Sequence, residues 1–297
     1  MKNTPKLLMP LVMCLFIILT ILFRNQDANY QLHKLMKKGQ IEQVNDFQDS
    51  IGFIFEGNLI FVQLYIKKVA YLFLFDTGSP TSFSKNLIQK LNLRKEATLC
   101  LNNDKEERTE ISLFSESLRI NHTVFGEVMV QELAEDLQKN YKIPIDGIIG
   151  SNLMQHCIWQ IDYKKQKIYL SNRLELLPTL PKRYFTSFTR NTERSPRIYL
   201  TINHFPKRPI ALVSTGDTNG ITLSQSFSSI RSMMLFPPLQ EDSHFSYANL
   251  LMIGDLKANH IKTNFSNSKQ CILGNDFLKH YLVTLDWRKR KIYFENY

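Results

Sequence analysis

Val69 to Ser79 reads VAYLFLFDTGS, and Pro209 to Asp217 reads PIALVSTGD. In both stretches a short apolar run stops abruptly at a small polar loop containing Thr-Gly. Runs of this length, rich in aromatic or β-branched residues and closed by turn formers, read as buried strands. Working outward, each is preceded by a second strand and a charged turn. Asn58 to Ile66 (NLIFVQLYI) is followed by Lys67-Lys68, and Arg197 to Asn203 (RIYLTIN) by His204 to Arg208 (HFPKR). Strand, turn, strand and loop therefore occur twice, with Ser214 lying 138 residues after Asp76.

The two copies also end alike. Ile148 to Leu170 reads IIGSNLMQHCIWQIDYKKQKIYL, and Ile272 to Phe294 reads ILGNDFLKHYLVTLDWRKRKIYF. They align without a gap at a spacing of 124, matching Gly150 with Gly274, His156 with His280 and Asp162 with Asp286. Two ordered matches of this kind mark an internal duplication. Each ending predicts a strand, a glycine, a short helix and a closing hairpin. Asp162 precedes its turn, where an aspartate bonds local backbone groups. The expected fold is mainly β: two similar β-barrel-like lobes with short helices, behind an N-terminal hydrophobic helix. The first lobe is expected over 51–175, a linker carrying Pro178 and Pro181 over 176–190, and the second lobe over 191–297.

Residues 1–27 read as a signal-anchor or a signal peptide. Lys2 and Lys6 precede an apolar run from Leu7 to Phe23, and no small-residue cleavage site follows it. That run just spans a thin hydrocarbon core. The body is thus expected outside the cytoplasm, joined by a polar stretch over 28–50 holding a short helix. The net charge of +10 is dispersed over the chain, and no nucleic-acid motif accompanies it, so no nucleic-acid partner is expected. Cys14 lies in the leader. Cys100, Cys157 and Cys271 have no metal-ligand spacing, and one disulfide among them stays open. The reading calls for no cofactor and no metal. Asn121-His122-Thr123 and Asn264-Phe265-Ser266 fit the glycosylation acceptor pattern, relevant only in a eukaryotic secretory pathway.

A strand running into Asp76-Thr77-Gly78-Ser79, with Ile-Ile-Gly and a short helix some seventy residues later, resembles a lobe of the aspartic proteases. The duplication resembles the pepsin-like enzymes, and the short lobes resemble the retropepsin-like bacterial members. The resemblance covers Ile51 to Tyr297. It implies that Asp76 activates a water and that Thr77 ties its loop to the opposite lobe. Gly78 lets backbone approach closely, Ser79 bonds the outer carboxylate oxygen, and Gly150 supports the loop from behind. It also implies a cleft between the lobes that takes a peptide or protein. The matching loop is Ser214, Thr215 and Gly216. Family chemistry needs one aspartate from each lobe, because two close carboxylates share a proton. Here Ser214 stands at the second position. Asp217 is a conceivable stand-in, as is dimerisation through two first lobes. The hairpin over Glu96 to His122, with its charged connection from Asn102 to Glu110, lacks the tyrosine that pepsin-like flaps carry. Three functions therefore stay open: an aspartic-type peptidase built on Asp76, an inactive relative that binds peptides, or a plain scaffold with no ligand in its cleft.

Overall fold

The computed structural model describes residues 28–43, 45–102, 108–134, 143–182, 184–191, 195–203, 208–227, 245–248 and 250–297. The expected leader, the flap tip and most of the His204–Arg208 turn lie outside these. Lobe 1 contains β1 (Gln48–Glu56), β2 (Leu59–Ile66), β3 (Val69–Asp76), β4 (Ser82–Phe83), β5 (Arg94–Asn102), β6 (Arg108–Ile120), β7 (Thr123–Glu132), β8 (Gly147–Gly150), β9 (Ile158–Asp162) and β10 (Lys167–Ser171). From the interlobe stretch onward run β11 (Phe185–Ser187), β12 (Thr189–Asn191), β13 (Arg197–Thr201), β14 (Ile210–Val213), β15 (Ile221–Ser224), β16 (Phe245–Ala248), β17 (Leu251–Ile253), β18 (Leu256–Ala258), β19 (Ile261–Ser266), β20 (Cys271–Leu273), β21 (Tyr281–Asp286) and β22 (Lys291–Asn296).

Sheet topology repeats between the lobes. β3 pairs in parallel with β8, which pairs antiparallel with β4, which pairs in parallel with β7. In lobe 2, β14 pairs in parallel with β20, which pairs antiparallel with β15, which pairs in parallel with β19. The closing hairpins β9–β10 and β21–β22 meet in a central antiparallel sheet, where Gln160 lies opposite Thr284. These two residues are themselves equivalents at the 124 spacing, so the pairing is two-fold about that point. The Gln160 amide donates to Thr284 Oγ1 at 2.9 Å. Both closing turns use the predicted aspartate: Lys165 N–H donates to Asp162 and Lys289 N–H to Asp286.

Alternation sends one face of each strand inward. Phe73, Phe75, Phe83, Phe125 and Trp159 are fully buried in the first lobe, with Phe75 and Phe125 rings 5.5 and 6.1 Å from Trp159. Trp287 and Phe294 do the same work in the second. β1 changes partner after Gly52. Its first half pairs with β10 and its second half with β2, carrying the central sheet into lobe 1.

The polar stretch ahead of β1 also docks. Residues 28–35 are helical, and Leu32 and Met36 are buried against Leu99, Leu101, Leu113 and Met129 on the β5–β6–β7 sheet. The expected flap strands are β5 and β6, and they run further than expected, to Asn102 and from Arg108. The prolines of the interlobe stretch precede β11, which pairs with β22, so this connection adds a strand to the central sheet. All three described cysteines are free thiols, which closes the disulfide option. Cys157 and Cys271 are buried, and burial raises both thiols above their ordinary range. Among the described residues no helix is long and apolar enough to cross a membrane.

Candidate active site

The two Thr-Gly loops meet at the dyad. Thr77 Oγ1 donates to the Val213 carbonyl at 2.8 Å and accepts from Thr215 N–H at 3.2 Å. Thr215 Oγ1 donates to the Phe75 carbonyl at 2.7 Å and accepts from Thr77 N–H at 3.1 Å. Val213 and Phe75 are equivalents at the 138 spacing, so the four bonds form a reciprocal set. All these atoms are buried, where unpaired N–H and C=O groups would each cost about 1–3 kcal/mol. The set therefore fixes one loop against the other.

Asp76 ends β3, in register with Gly150. It is 5% exposed. Oδ1 accepts from Gly78 N–H at 2.7 Å, Gly216 N–H at 3.0 Å and the Ser214 hydroxyl at 2.9 Å. Oδ2 accepts from the Ser79 hydroxyl at 2.5 Å. Every predicted site residue thus converges on this carboxylate or on the threonine exchange beneath it. The glycines are required by space. A Cβ on Gly216 would lie 2.4 Å from the Asp76 carboxyl carbon, and one on Gly78 2.7 Å from Ser214 Oγ. Gly150 crosses behind the loop so closely that a Cβ would meet the Pro80 carbonyl carbon at 2.3 Å.

Asp217 does not join them. Its carboxylate accepts from Asn219 N–H at 2.8 Å, and its carbonyl accepts from Asn275 N–H at 2.8 Å, so it is tied into its own turn. The dyad thus presents one carboxylate with four donors and, opposite, one hydroxyl. A single carboxylate can take a proton from water. Among the described residues no second acid bonds to this pair to deliver one to a carbonyl oxygen.

Three residues outside the predicted set tie the first lobe to the lobe 2 loop. The amide of Asn275, fully buried, donates to the Thr215 carbonyl at 2.5 Å and the Asn58 carbonyl at 2.9 Å, and accepts from the Tyr163 hydroxyl at 2.7 Å. Asn58, in the left-handed region at φ 59°, turns from β1 to β2 and donates to the Thr218 carbonyl at 3.0 Å. Burial pushes the Tyr163 hydroxyl well above its ordinary range. The sequence signal was a break in the repeat, since Asn275 matches Ser151 in the first lobe. Beside this latch a cavity of about 690 Å³ opens, lined by Phe55, Glu56, Asn58, Phe61, Thr218 and Lys262 among others.

His156 is partly buried, with Nε2 3.1 Å from the Lys38 carbonyl. Asn121 sits in the exposed β6–β7 turn, and Asn264 lies in β19 with its amide donating to Asn219.

No protein-family model and no curated protein sequence matches the chain. Among solved structures it resembles Basic 7S globulin from soybean, at a TM-score of 0.59 and 12% identity, over 85% of this chain and 95% of that one. With its duplicated sheets and the dyad between them, the chain has the two-lobed, mainly β fold of the pepsin-like aspartic proteases.

Proposed function

We propose that this chain is an aspartic-peptidase-like protein that holds an extended peptide between its lobes, outside the cytoplasm, with Asp76 as its one catalytic carboxylate. The observation that carries this reading is the Ser214 hydroxyl, 2.9 Å from Asp76 where a second acid would stand. In a paired site one carboxylate takes a proton from water while the other gives one to the scissile carbonyl. A serine hydroxyl holds Asp76 in place but does not replace that acid. Loss of one such partner lowers rates by about 10²–10⁴. Cleavage is therefore slow or absent, and retention of the peptide is the principal activity. Strand-flanked grooves hold extended chains by main-chain hydrogen bonds and take side chains in pockets. The cavity beside Asn58 suits an apolar side chain with a polar edge. The complete donor set on Asp76 supports a residual peptidase, since a mere turn residue would not need it. The apolar run from Leu7 to Phe23 supports secretion or tethering.

The test is to incubate the full chain with a peptide library from acid to neutral pH, alongside Asp76→Asn. Binding in both proteins with little cleavage is the expected result. If neither protein binds any peptide, the reading fails.

A further inference from the structure

The helix over 28–35 is fastened to the body on one side and bare on the other. Leu32 and Met36 face inward. The turn after the helix is clamped from behind: the Gln155 amide donates to the Met36 carbonyl at 2.7 Å, and His156 Nε2 lies 3.1 Å from the Lys38 carbonyl. The Lys37 and Lys38 N–H groups continue the winding by donating to the Lys34 and Leu35 carbonyls. At 3.6 residues per turn, Tyr30 and Lys34 share a face, and Lys37 follows three residues further on. All three are exposed, and Tyr30, at 67%, is the most exposed large hydrophobic side chain among the described residues.

Charge and position set this face apart. Lys34, Lys37 and Lys38 line a groove of about 580 Å³, together with Ile41, Glu42 and Glu127. Lys38 meets Glu127 at 3.5 Å, an exposed contact that solvent screens. Among the described residues neither Lys34 nor Lys37 has an ion-pair partner. The carboxyl end of a helix welcomes cations, but that accounts for nothing at Tyr30, near the other end. In sequence, the apolar run ends at Phe23, five residues before Ala28. A chain advances at most about 3.6 Å per residue, so the helix starts within about 18 Å of the end of that run. An exposed aromatic ring among lysines suits a membrane surface, where the ring enters the headgroup level and the ammonium groups meet lipid phosphates.

We propose that the face formed by Tyr30, Lys34 and Lys37, with Lys38 beside it, docks on an anionic phospholipid surface and sets how lobe 1 sits on the membrane. The inference rests on the tethering in the proposed function, which brings this face near a bilayer without laying it down on one. Because the helix is packed against the β5–β6–β7 sheet, the docked face would orient the whole first lobe.

Trp159 and Trp287 are buried, so Tyr30→Trp in the full chain adds one exposed indole that a quencher in the membrane can reach. The protein is reconstituted with vesicles of brominated phosphatidylcholine, with and without phosphatidylglycerol. Quenching of the added indole is expected on the phosphatidylglycerol vesicles, with little on the neutral ones and a loss at high salt. Lys34→Gln combined with Lys37→Gln should lower the docked-to-undocked ratio about 25-fold, at about 5-fold per lysine near an anionic surface. Lys257→Gln combined with Lys269→Gln removes the same charge from exposed positions in lobe 2 and should leave the ratio unchanged. Flotation with neutral vesicles reads the tether separately. A chain that does not float there refutes tethering, and quenching on the phosphatidylglycerol vesicles still decides the docking. Four results overturn the docking: no quenching on those vesicles, equal quenching on both kinds, equal effects from the two lysine pairs, or the same emission change with inorganic phosphate alone.

Discussion

The Asp76 loop and the Ser214 loop are copies in backbone and opposites in chemistry. Each places a threonine hydroxyl between a carbonyl and an N–H of the other, and each brings a glycine against the opposing side chain. At the centre one carries a carboxylate and the other a hydroxyl. The lesson is that the dyad is held by threonine and glycine. The acid pair is dispensable for the architecture, and one member can be exchanged with the surrounding bonds intact.

The largest way to test this comparison is to remove the difference. Ser214→Asp sets two carboxylates across the dyad, where like charges force them to share a proton. Proteolysis on the acid side should rise by about 10²–10⁴ over the wild type, the reverse of the loss expected for a missing acid. Peptide cleavage followed by mass spectrometry reads it. No gain would mean that the second loop, though superimposable in its bonds, is set at the wrong distance for a bound peptide.

Next come the glycines, which sharpen the comparison by touching opposite partners. Gly216→Ala would drive a methyl to within 2.4 Å of the Asp76 carboxyl carbon, and Gly78→Ala to 2.7 Å from Ser214 Oγ. Overpacking of this kind costs about 1–3 kcal/mol. The two alanines should lower Tm comparably, and each should abolish whatever cleavage Ser214→Asp creates, Gly216→Ala by displacing Asp76 and Gly78→Ala by displacing the introduced carboxylate opposite it. Cleavage that survives either alanine would show that the loop concerned absorbs the methyl without moving its acid.

Smaller still is a test of the symmetry. Thr77→Val and Thr215→Val each remove one hydroxyl that donates to a buried carbonyl and accepts a buried N–H. Each should cost about 1–3 kcal/mol, a fall in Tm of roughly 2–4 °C per kcal/mol for a chain of this size. Closely matched values are expected from thermal unfolding. A much larger loss for one would show that the exchange is reciprocal in geometry and unequal in energy.

What was legible in the sequence follows from the same duplication. Repeated strings such as IIGSN and ILGND announce two lobes because both copies must solve one steric problem, the glycine crossing behind a tight loop. Asp76, Thr77, Gly78, Ser79, Ser214, Thr215 and Gly216 could be brought together on paper because the dyad requires it. The latch could not. Asn58, Tyr163 and Asn275 lie far apart in sequence, and the break in the repeat at Asn275 marks a difference without naming its partners. The docking of residues 28–35 was hidden for a different reason. Leu32 and Met36 form a one-sided apolar stripe within a polar stretch, and only the uncovered face of the β5–β6–β7 sheet gives it a partner.

The smallest prediction concerns the last residue of the repeat, where the lobes again diverge. At the 124 spacing Arg173 corresponds to Tyr297. Arg173 is an exposed cation paired with Asp46 and Glu175, held by charges that solvent screens. Tyr297 closes lobe 2 onto lobe 1 instead, its oxygen accepting from Tyr163 N–H at 2.6 Å. Burial is the main cause that pushes its hydroxyl up to about 12, with the nearby Asp162 adding to it against the two backbone donors. The protonated form is the neutral one, so the folded state holds this proton more tightly than the unfolded chain does. The resulting stability is complete below the ordinary tyrosine value near 10 and is lost as pH rises through about 12. Tyr297→Phe removes the titration while keeping the ring. Its difference in Tm from the wild type should therefore be constant at neutral pH and shrink across that alkaline window. A difference independent of pH up to and beyond 12 would mean that the ring alone, by packing, closes the second lobe onto the first.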